Sequence, residues 1–321
     1  MSAITHLQWF MGGIAFGHAL DVIDVKVYMW QRQVIFSRMF YFIGLHVMAI
    51  VAVFKLENVS YKTVMLHVVY AILSQIGVTA GMHRLWTHES YKANIWLQYV
   101  LLYFATCAQE LSVIDWVKWH RAHHKHSDTS ADPHNVNDGF WFAHVGWLIT
   151  KDTKAVREAI KNINYDDIIH RRDMILQQKY YPLWLFLGSI CAPVAIAWTW
   201  NDAYNSYLLY YIRTVYVLNS TFLVNSAAHT WGYKPYTNTI APAENRWVSL
   251  IAVGEGWHNF HHTYSKDYRA AESILDMNIT GLLLALLAKF GLVTDRKVAK
   301  AHYKGPYKSE VTINNKSYYI I

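Results

Sequence analysis

Four stretches of the chain are apolar enough and long enough to cross a lipid bilayer as helices. They cover residues 34–54, 63–81, 180–201 and 206–225. A helix rises about 1.5 Å per residue, so about 20 residues cross the roughly 30 Å of hydrocarbon in a bilayer. A fifth apolar run, 95–108, is shorter and is typical of an interfacial or buried helix. The pattern predicts an all-α integral membrane protein.

The spacing of these runs divides the chain into five segments. Residues 34–81 and 180–225 each form a predicted transmembrane hairpin, and residues 82–179 and 226–321 form two polar segments that also contain many aromatic residues. The first segment, 1–33, lacks the basic region and cleavage site of a signal peptide, so we expect an interfacial or loosely ordered N-terminus. Because each hairpin returns the chain to the side where it entered, both polar segments emerge on the same side of the membrane.

The composition supports a membrane protein with a large water-facing part. Hydrophobic residues make up 54% of the chain and charged residues 16%, while the mean hydropathy is only +0.08. The net charge is 29 − 22 = +7, and residues 289–321 hold seven basic and two acidic side chains. This basic end favours anionic lipid headgroups, an acidic protein partner or a phosphate-bearing substrate, although a merely solvated tail fits equally well. We expect no nucleic-acid partner. Cys107 and Cys191 lie in apolar surroundings and do not suggest a disulfide framework.

Half of the 18 histidines fall into four tight groups, all in the polar segments or at their membrane edge. The nine are His83 and His88 in HRLWTH, His120, His123 and His124 in HRAHH, His229 in NSAAH, and His258, His261 and His262 in HNFHH. Asn225 precedes His229 by one helical turn. His46 and His67 lie within the apolar runs, where we expect ordinary hydrogen-bonded histidines.

The spacing of these histidines indicates a site for two metal ions. Positions i, i+3 and i+4 share one face of a helix, so each HxxHH group places three imidazoles on one patch. Imidazole suits divalent transition metals, and nine neutral ligands exceed what one ion accepts. The i, i+5 spacing of His83 and His88 fits one helical face poorly, so we expect irregular winding there. A carboxylate-based di-iron bundle would need two Glu-x-x-His pairs, and the chain offers only Glu255 with His258.

The histidine groups resemble those of a known enzyme family. GMHRLWTH, HRAHHKHSDTSADPHN, NSAAHTWGYKPY and GEGWHNFHH are similar, in order and spacing, to the boxes of animal acyl-CoA desaturases of the stearoyl-CoA desaturase type. The resemblance covers roughly residues 30–300. It implies a mushroom-like fold with four transmembrane helices as the stem and a cytosolic helical cap that holds the metals. It also implies a multi-pass protein of the endoplasmic reticulum membrane with cytosolic termini.

The resemblance further implies which residues hold each metal ion. One iron ion would take five ligands: His83, His88, His120, His124 and His261. The other would take His123, His229, His258 and His262, with Asn225 contributing through a water molecule. In a recombinant protein zinc competes for the same imidazoles.

The implied reaction introduces one double bond into a long-chain acyl-CoA, with O2 as co-substrate. The regioselectivity would be Δ9 or an insect-like variant. Electrons must come from outside, because the sequence contains neither GxGxxG nor the HPGG haem motif. The resemblance implies cytochrome b5 and NADH-cytochrome b5 reductase as the donors. An apolar tunnel would position the chain, and for the small residues Ala71 and Gly77 we expect core packing in preference to tunnel lining.

The chain departs from the family pattern where the substrate headgroup would bind. Lys118 and Trp119 stand where relatives usually have Arg-Asp, and Lys151 and Asp152 where they usually have Arg-Lys. A lysine is a point charge and lacks the bidentate phosphate contact of arginine. We therefore expect an altered headgroup site involving Lys118, Trp119 and Lys151.

Three other functions fit parts of the pattern. A membrane hydroxylase or a desaturase of lipid-linked acyl chains would use the same metal chemistry, and its products would distinguish it. A non-catalytic metal-binding membrane protein would be expected to carry histidines through the spans, whereas these clusters stay at one surface. A lipid-binding protein with an inactive site would not depend on iron, and the complete set of nine histidines argues against it.

Overall fold

The computed structural model describes residues 3–21, 26–27, 32–300, 309–313 and 316–320. Parts of the predicted N-terminal segment and of the basic tail lie outside the described residues. The described protein is mostly helical, which confirms the predicted helical class. The helices are α1 (Ala3–Leu20), α2 (Phe36–Lys55), α3 (Tyr61–Ile76), α4 (Ile95–Cys107), α5 (Val113–His126), α6 (Trp147–Ile149), α7 (Lys154–Lys161), α8 (Asp166–Ile169), α9 (Arg172–Lys179), α10 (Tyr181–Leu185), α11 (Ala192–Trp198), α12 (Ala203–Thr230), α13 (Arg246–Ile251), α14 (His258–Thr263) and α15 (Ile279–Lys289).

Short irregular helices and strands complete the described chain. The π-helices cover Gly77–Thr87, Phe142–Gly146 and Phe186–Cys191, and a 3-10 helix covers Val136–Asp138. The strands form three antiparallel pairs: β1 (Lys26–Val27) with β2 (Arg32–Gln33), β3 (Lys92–Ala93) with β4 (Val293–Thr294), and β5 (Ser309–Ile313) with β6 (Lys316–Ile320).

Three helical stretches of the described chain have the length and apolar composition to cross a membrane. They are Phe36–Lys55, Tyr61–Thr87 and Tyr181–Trp198, and they coincide with the first three apolar runs of the sequence. The fourth run lies in α12, which is not among the three. This helix carries Arg213 and many hydroxyl and amide side chains, and it tolerates them because more than half of its residues are buried against other elements. The four-helix topology stays a prediction.

Helix α12 is the central element of the bundle. It packs against α2, α3 and α11, and its far end contacts α13 and α14. Leu45 and Met48 of α2 pack with Tyr211, Leu218 and Phe222 of α12 in one buried cluster. The histidine at the end of α12 is therefore held by a helix that is itself fixed on several sides.

Most of the described part of the N-terminal segment forms helix α1. It packs along α2 at Gly17, where an added Cβ would lie 2.7 Å from the Ser37 Cα atom. The Asp21 carboxylate accepts hydrogen bonds from the backbone N–H and the hydroxyl of Ser37. Its position at a membrane interface stays a prediction.

Close packing of α4 on the π-helix Gly77–Thr87 explains the small residues of the second run. An added Cβ at Gly77 would lie 2.2 Å from the Ala105 backbone nitrogen, so only glycine allows the two backbones to approach. Ala71 is buried in the same core cluster as Ala105. Core packing is thus confirmed for both predicted small residues.

Candidate metal centre

A π-helix brings the first two histidines onto one face. The helix of the second apolar run does not end at residue 81 but continues to Thr87 with π-helical winding. The His88 backbone N–H donates to the His83 carbonyl oxygen at 3.1 Å, an i→i+5 hydrogen bond. The ring centroids of His83 and His88 lie 4.8 Å apart. The expected irregular winding is confirmed.

The two HxxHH groups lie on regular helices, as the spacing predicts. Helix α5 is capped at its start by Ser112, whose hydroxyl accepts from the Asp115 backbone N–H, and its last two turns carry the first group. Helix α14 carries the second group. It is fixed by Asn259, whose side chain accepts from the backbone N–H groups of Tyr236 and Thr237 and donates to the carbonyl oxygens of Thr237 and Pro242.

The nine histidines converge into two compact groups. Within each group the candidate ligand atoms lie within 4.8 Å of one another. One group contains His83, His88, His120, His124 and His261, and the other contains His123, His229, His258 and His262. These are the same two sets that the resemblance implies, although metal binding by them stays a prediction.

The ring nitrogens in each group point at one another. In the first group the Nε2 atom of His261 lies 2.8 Å from that of His83 and 3.0 Å from that of His124. In the second group the Nε2 atom of His258 lies 3.1 Å from the Nε2 atoms of both His229 and His262. Two nitrogens bound about 2.1 Å from one ion can be at most about 4.2 Å apart, so these distances fit ligands of a shared ion.

The protonation and pairing of the rings also fit a metal. Burial, followed by the charges of neighbouring imidazoles, holds the pKa of His120, His124, His261 and His262 well below its usual value. Neutral imidazole is the form that binds metals. The buried Nε2 of His88 has no hydrogen-bond partner among the described residues. A bound ion would satisfy that nitrogen.

Carboxylates lie behind three of the histidine rings, and one of them, Asp132, forms a hydrogen bond with its ring. Sequence reasoning assigned these carboxylates no role. The Nδ1 atom of His83 lies 2.9 Å from a Glu255 oxygen, and that of His123 lies 2.9 Å from an Asp132 oxygen. The Nδ1 atom of His229 lies 3.5 Å from Asp128. Such carboxylates orient a ligating ring and raise its basicity. The positions of Asp128 and Asp132 were the available signal, since both follow HRAHH within a few residues.

Two of these buried carboxylates, Glu255 and Asp132, have pKa values far below neutral pH. Burial alone would raise the pKa of Glu255, but the Arg84 guanidinium and His83 lower it to about 2. Burial would likewise raise the pKa of Asp132, and His123 lowers it to about 2. Asp132 and His134 also form a third possible group with His123, because their ligand atoms lie equally close. The Arg84 guanidinium thus pairs with Glu255 at 2.7 Å, whereas Asp132 lies against His123 and His134.

A largely apolar cavity adjoins the histidine groups. Its lining includes His83, His120, His258 and Asn225, together with side chains such as Phe42, Val78, Leu218 and Phe222. Asn225 thus lines the cavity beside the second histidine group. Its contribution to a metal site through a water molecule stays a prediction. The ring of Trp116 stacks on His120 at 4.5 Å and forms part of the same wall.

Glu110 is a buried carboxyl in this cavity that the sequence did not single out. It lies between Gln109 and Leu111, which both adopt positive φ angles, 66° and 74°. Its oxygens accept from the Thr221 hydroxyl at 2.7 Å and from the Trp116 indole N–H at 3.4 Å. Burial raises the pKa of Glu110 to about 7. Strained backbone of this kind is concentrated at functional sites.

The three predicted headgroup residues do not meet at one point. Trp119 lines the cavity and packs on Trp147, with ring centroids 5.1 Å apart. The Lys118 ammonium lies 4.4 Å above the Tyr165 ring. The Lys151 side chain is exposed. The structure shows one of them at the cavity and leaves the headgroup role a prediction.

The two histidines of the apolar helices are structural, as expected. His46 Nδ1 lies 2.8 Å from the Phe42 carbonyl oxygen, and its Nε2 accepts from the Asn219 amide. His67 Nε2 lies 2.9 Å from the Ser206 hydroxyl. Neither belongs to the two histidine groups.

Known proteins resemble this chain over most of its length. Residues 61–269 match the family model described as fatty acid desaturase. A stearoyl-CoA desaturase from Sus scrofa is 40% identical over 278 residues, 85% of this chain and 76% of that protein. An acyl-CoA desaturase from Ovis aries is 39% identical over 285 residues, which covers 88% and 78%. A stearoyl-CoA desaturase from Homo sapiens is 39% identical over 278 residues, with coverage of 85% and 76%.

Proposed function

Because the chain belongs to the fatty acid desaturase family, we propose that it is an acyl-CoA desaturase that introduces one double bond into a long-chain acyl group. The single observation that carries this proposal is the convergence of nine histidines into two groups beside an apolar cavity. The proposed regioselectivity is Δ9 or an insect-like variant.

The two histidine groups would hold two iron ions. His83, His88, His120, His124 and His261 would bind one, and His123, His229, His258 and His262 the other, with Asn225 contributing through a water molecule. The bound irons would supply the oxygen chemistry needed to remove hydrogen from an unactivated methylene, which acids and bases cannot do. The donor set supports iron or zinc equally well, and the family favours iron.

The protein's own residues prepare the site for this chemistry. Neutral imidazoles present their nitrogens, and Glu255, Asp132 and Asp128 lie behind three of the rings. Apolar side chains such as Val78 and Leu218 line the cavity, so an acyl chain there would be held out of water and against the histidines. Trp116 would limit how close the chain approaches on the His120 side.

The proposed setting is the endoplasmic reticulum membrane. Four transmembrane helices in two hairpins would place both polar segments and both termini in the cytosol. Three apolar helices of the described chain support membrane insertion. Cytochrome b5, reduced by its NADH-dependent reductase, would deliver electrons, and the net charge of +7 favours an acidic donor and the phosphates of coenzyme A. Lys118, Trp119 and Lys151 would contribute to headgroup binding.

Expression in a desaturase-deficient yeast tests the proposed reaction. We expect growth without added unsaturated fatty acids, and mass spectrometry should locate one new double bond in the cellular acyl chains. A matched His124→Ala variant should not restore growth, because it removes a ring from the first group. Hydroxylated products would instead indicate a hydroxylase, and products formed only on intact phospholipids in an acyl-CoA-free assay would indicate an acyl-lipid desaturase. Either result would overturn the proposal.

A further inference from the structure

A groove lies between α4, α9 and the third apolar stretch, Tyr181–Trp198. Its volume is about 410 Å³, within the roughly 300–1,000 Å³ that ligand sites occupy. Among the residues that the structure describes, none lines both this groove and the cavity beside the histidines. The proposed reaction therefore leaves the groove without a role.

One face of each of two helices forms the long walls of the groove. Helix α4 contributes Tyr99, Leu102, Tyr103 and Thr106. The third stretch contributes Trp184, Leu187, Gly188 and Ala192. Positions spaced by three and four residues share one side of a helix, so the groove runs along both helices. The third stretch rises about 12 Å over these positions, so the groove is elongated.

The third stretch opens the groove toward lipid. Its length and apolar composition suit a membrane crossing, and only 22% of it is buried within the protein. Two of its residues that line the groove, Trp184 and Leu187, are 48% and 43% exposed. On a membrane-crossing helix, apolar side chains that the protein leaves uncovered contact the hydrocarbon of the bilayer. The groove is therefore accessible to acyl chains.

The groove has a polar end and an apolar end. At the polar end lies Asp173 of α9, which pairs with Arg171 at 2.6 Å just before the apolar stretch begins. At the other end Ala192 lies about 16 Å along the stretch from Tyr181, roughly half of the 30 Å hydrocarbon thickness. This arrangement matches a molecule with a charged headgroup and an apolar tail.

The walls of the groove are connected by hydrogen bonds. The Tyr103 hydroxyl donates to the Gly188 carbonyl oxygen at 3.2 Å, which joins α4 to the third stretch. The Gln177 amide donates to the Thr106 hydroxyl at 3.0 Å, which joins α9 to α4. An unfilled cavity lowers stability in proportion to its volume, and water fills a mostly apolar space poorly. An acyl chain fills such a space without requiring hydrogen bonds.

We propose that this groove binds one acyl chain of a membrane glycerophospholipid, with the chain along the third stretch and the headgroup at the end near Arg171 and Asp173. Phospholipids are the proposed occupants because the groove is reached from the bilayer, where they supply most acyl chains. The bound chain would support α9, whose Gln177 side chain accepts from the Val113 backbone N–H at the start of α5. Helix α5 carries the HRAHH group, so the lipid would brace one wall of the histidine site.

Photo-crosslinking of the full chain in lipid nanodiscs locates the bound chain. The nanodiscs contain phosphatidylcholine with a diazirine midway along one acyl chain, and mass spectrometry maps the modified residues after illumination. We expect the groove faces of α4 and of the third stretch to be modified several-fold more than Ile50, Val53 and Phe54. These three are exposed on the membrane-crossing α2 and do not line the groove. Equal modification of both surfaces would mean ordinary lipid contact and would overturn the proposal.

Variants that fill the groove test its occupancy. Ala192→Phe and Leu187→Trp place a larger side chain in the groove. Ala195→Phe and Leu183→Trp are matched controls, because both positions are exposed on the same stretch and lie outside the lining. Native mass spectrometry after detergent extraction should show one phospholipid retained by the wild-type protein and both controls. We expect an apparent Kd for this lipid about tenfold higher in both groove variants.

Two outcomes of the retention experiment would overturn the proposal. One is phospholipid retention by both groove variants that is as tight as in the wild-type protein. The other is a retained molecule that is a free fatty acid or an acyl-CoA in place of a phospholipid. Lipid retention and crosslinking are measured without desaturation, so their result is separate from that of the proposed reaction.

Discussion

Replacing Asp132 by asparagine tests whether the carboxylates behind the histidines support metal binding. The two Asp132 oxygens lie 2.9 and 3.0 Å from His123 Nδ1, whose N–H donates to them. They also accept from the backbone N–H groups of Asp128 at 2.9 Å and His134 at 3.1 Å. Asparagine keeps the shape but removes the charge, and its amide nitrogen cannot accept from the Asp128 N–H.

The expected loss follows from these contacts. A hydrogen bond to a charged group contributes roughly 1.5–3 kcal/mol, and Asp132 is fully buried, so water cannot replace what is lost. Loss of a carboxylate behind a ligating histidine typically weakens metal affinity about 10- to 100-fold, which corresponds to about 1.4–2.7 kcal/mol. The two estimates agree. We therefore expect Asp132→Asn to hold iron about 10- to 100-fold more weakly.

Chelator competition measures this affinity directly. Iron-loaded wild-type and variant proteins are titrated with a competing chelator, and circular dichroism checks that the helices are retained. Asp166→Asn is the matched control, because Asp166 is exposed and belongs to none of the possible ligand groups. If Asp132→Asn retained iron as tightly as the wild-type and control proteins, the role assigned to this carboxylate would be wrong.

Three further changes give separate tests. Glu110→Gln should remove the loss of stability that the wild-type protein shows as pH rises from about 4.5 to 7. The folded pKa of Glu110, about 7, lies above the unfolded value, so ionisation of Glu110 costs the wild-type fold about 3 kcal/mol. Parallel curves of Tm against pH for the two proteins would contradict this. His262→Ala should lower bound iron to about half and desaturation more than 100-fold, and metal analysis showing full occupancy would contradict it. Lys151→Ala should raise the KM for acyl-CoA with kcat unchanged; an unchanged KM excludes its headgroup role.

The parts of the fold that follow local periodicity could be predicted from the sequence. The apolar runs 34–54, 63–81 and 180–201 became apolar helices, and the i, i+3, i+4 spacing placed each HxxHH group on one helical face. The poor spacing of His83 and His88 correctly indicated irregular winding. In each case the information lies within a few helical turns of the residues concerned.

Features that depend on distant parts of the chain were not predictable in this way. Glu255 pairs with Arg84, 171 positions away, and no local pattern connects them. The polar side chains of α12 lower the hydropathy of the fourth apolar run. The helix tolerates them because other parts of the protein bury more than half of its residues.

Counting iron and protein together in the purified full chain tests the central claim most directly. Nine histidines in two separate groups should hold about two iron ions per chain when the protein is produced in iron-supplemented yeast. A stoichiometry of one ion, or loss of the metal during purification without loss of desaturation, would contradict a paired-metal centre built from these histidines.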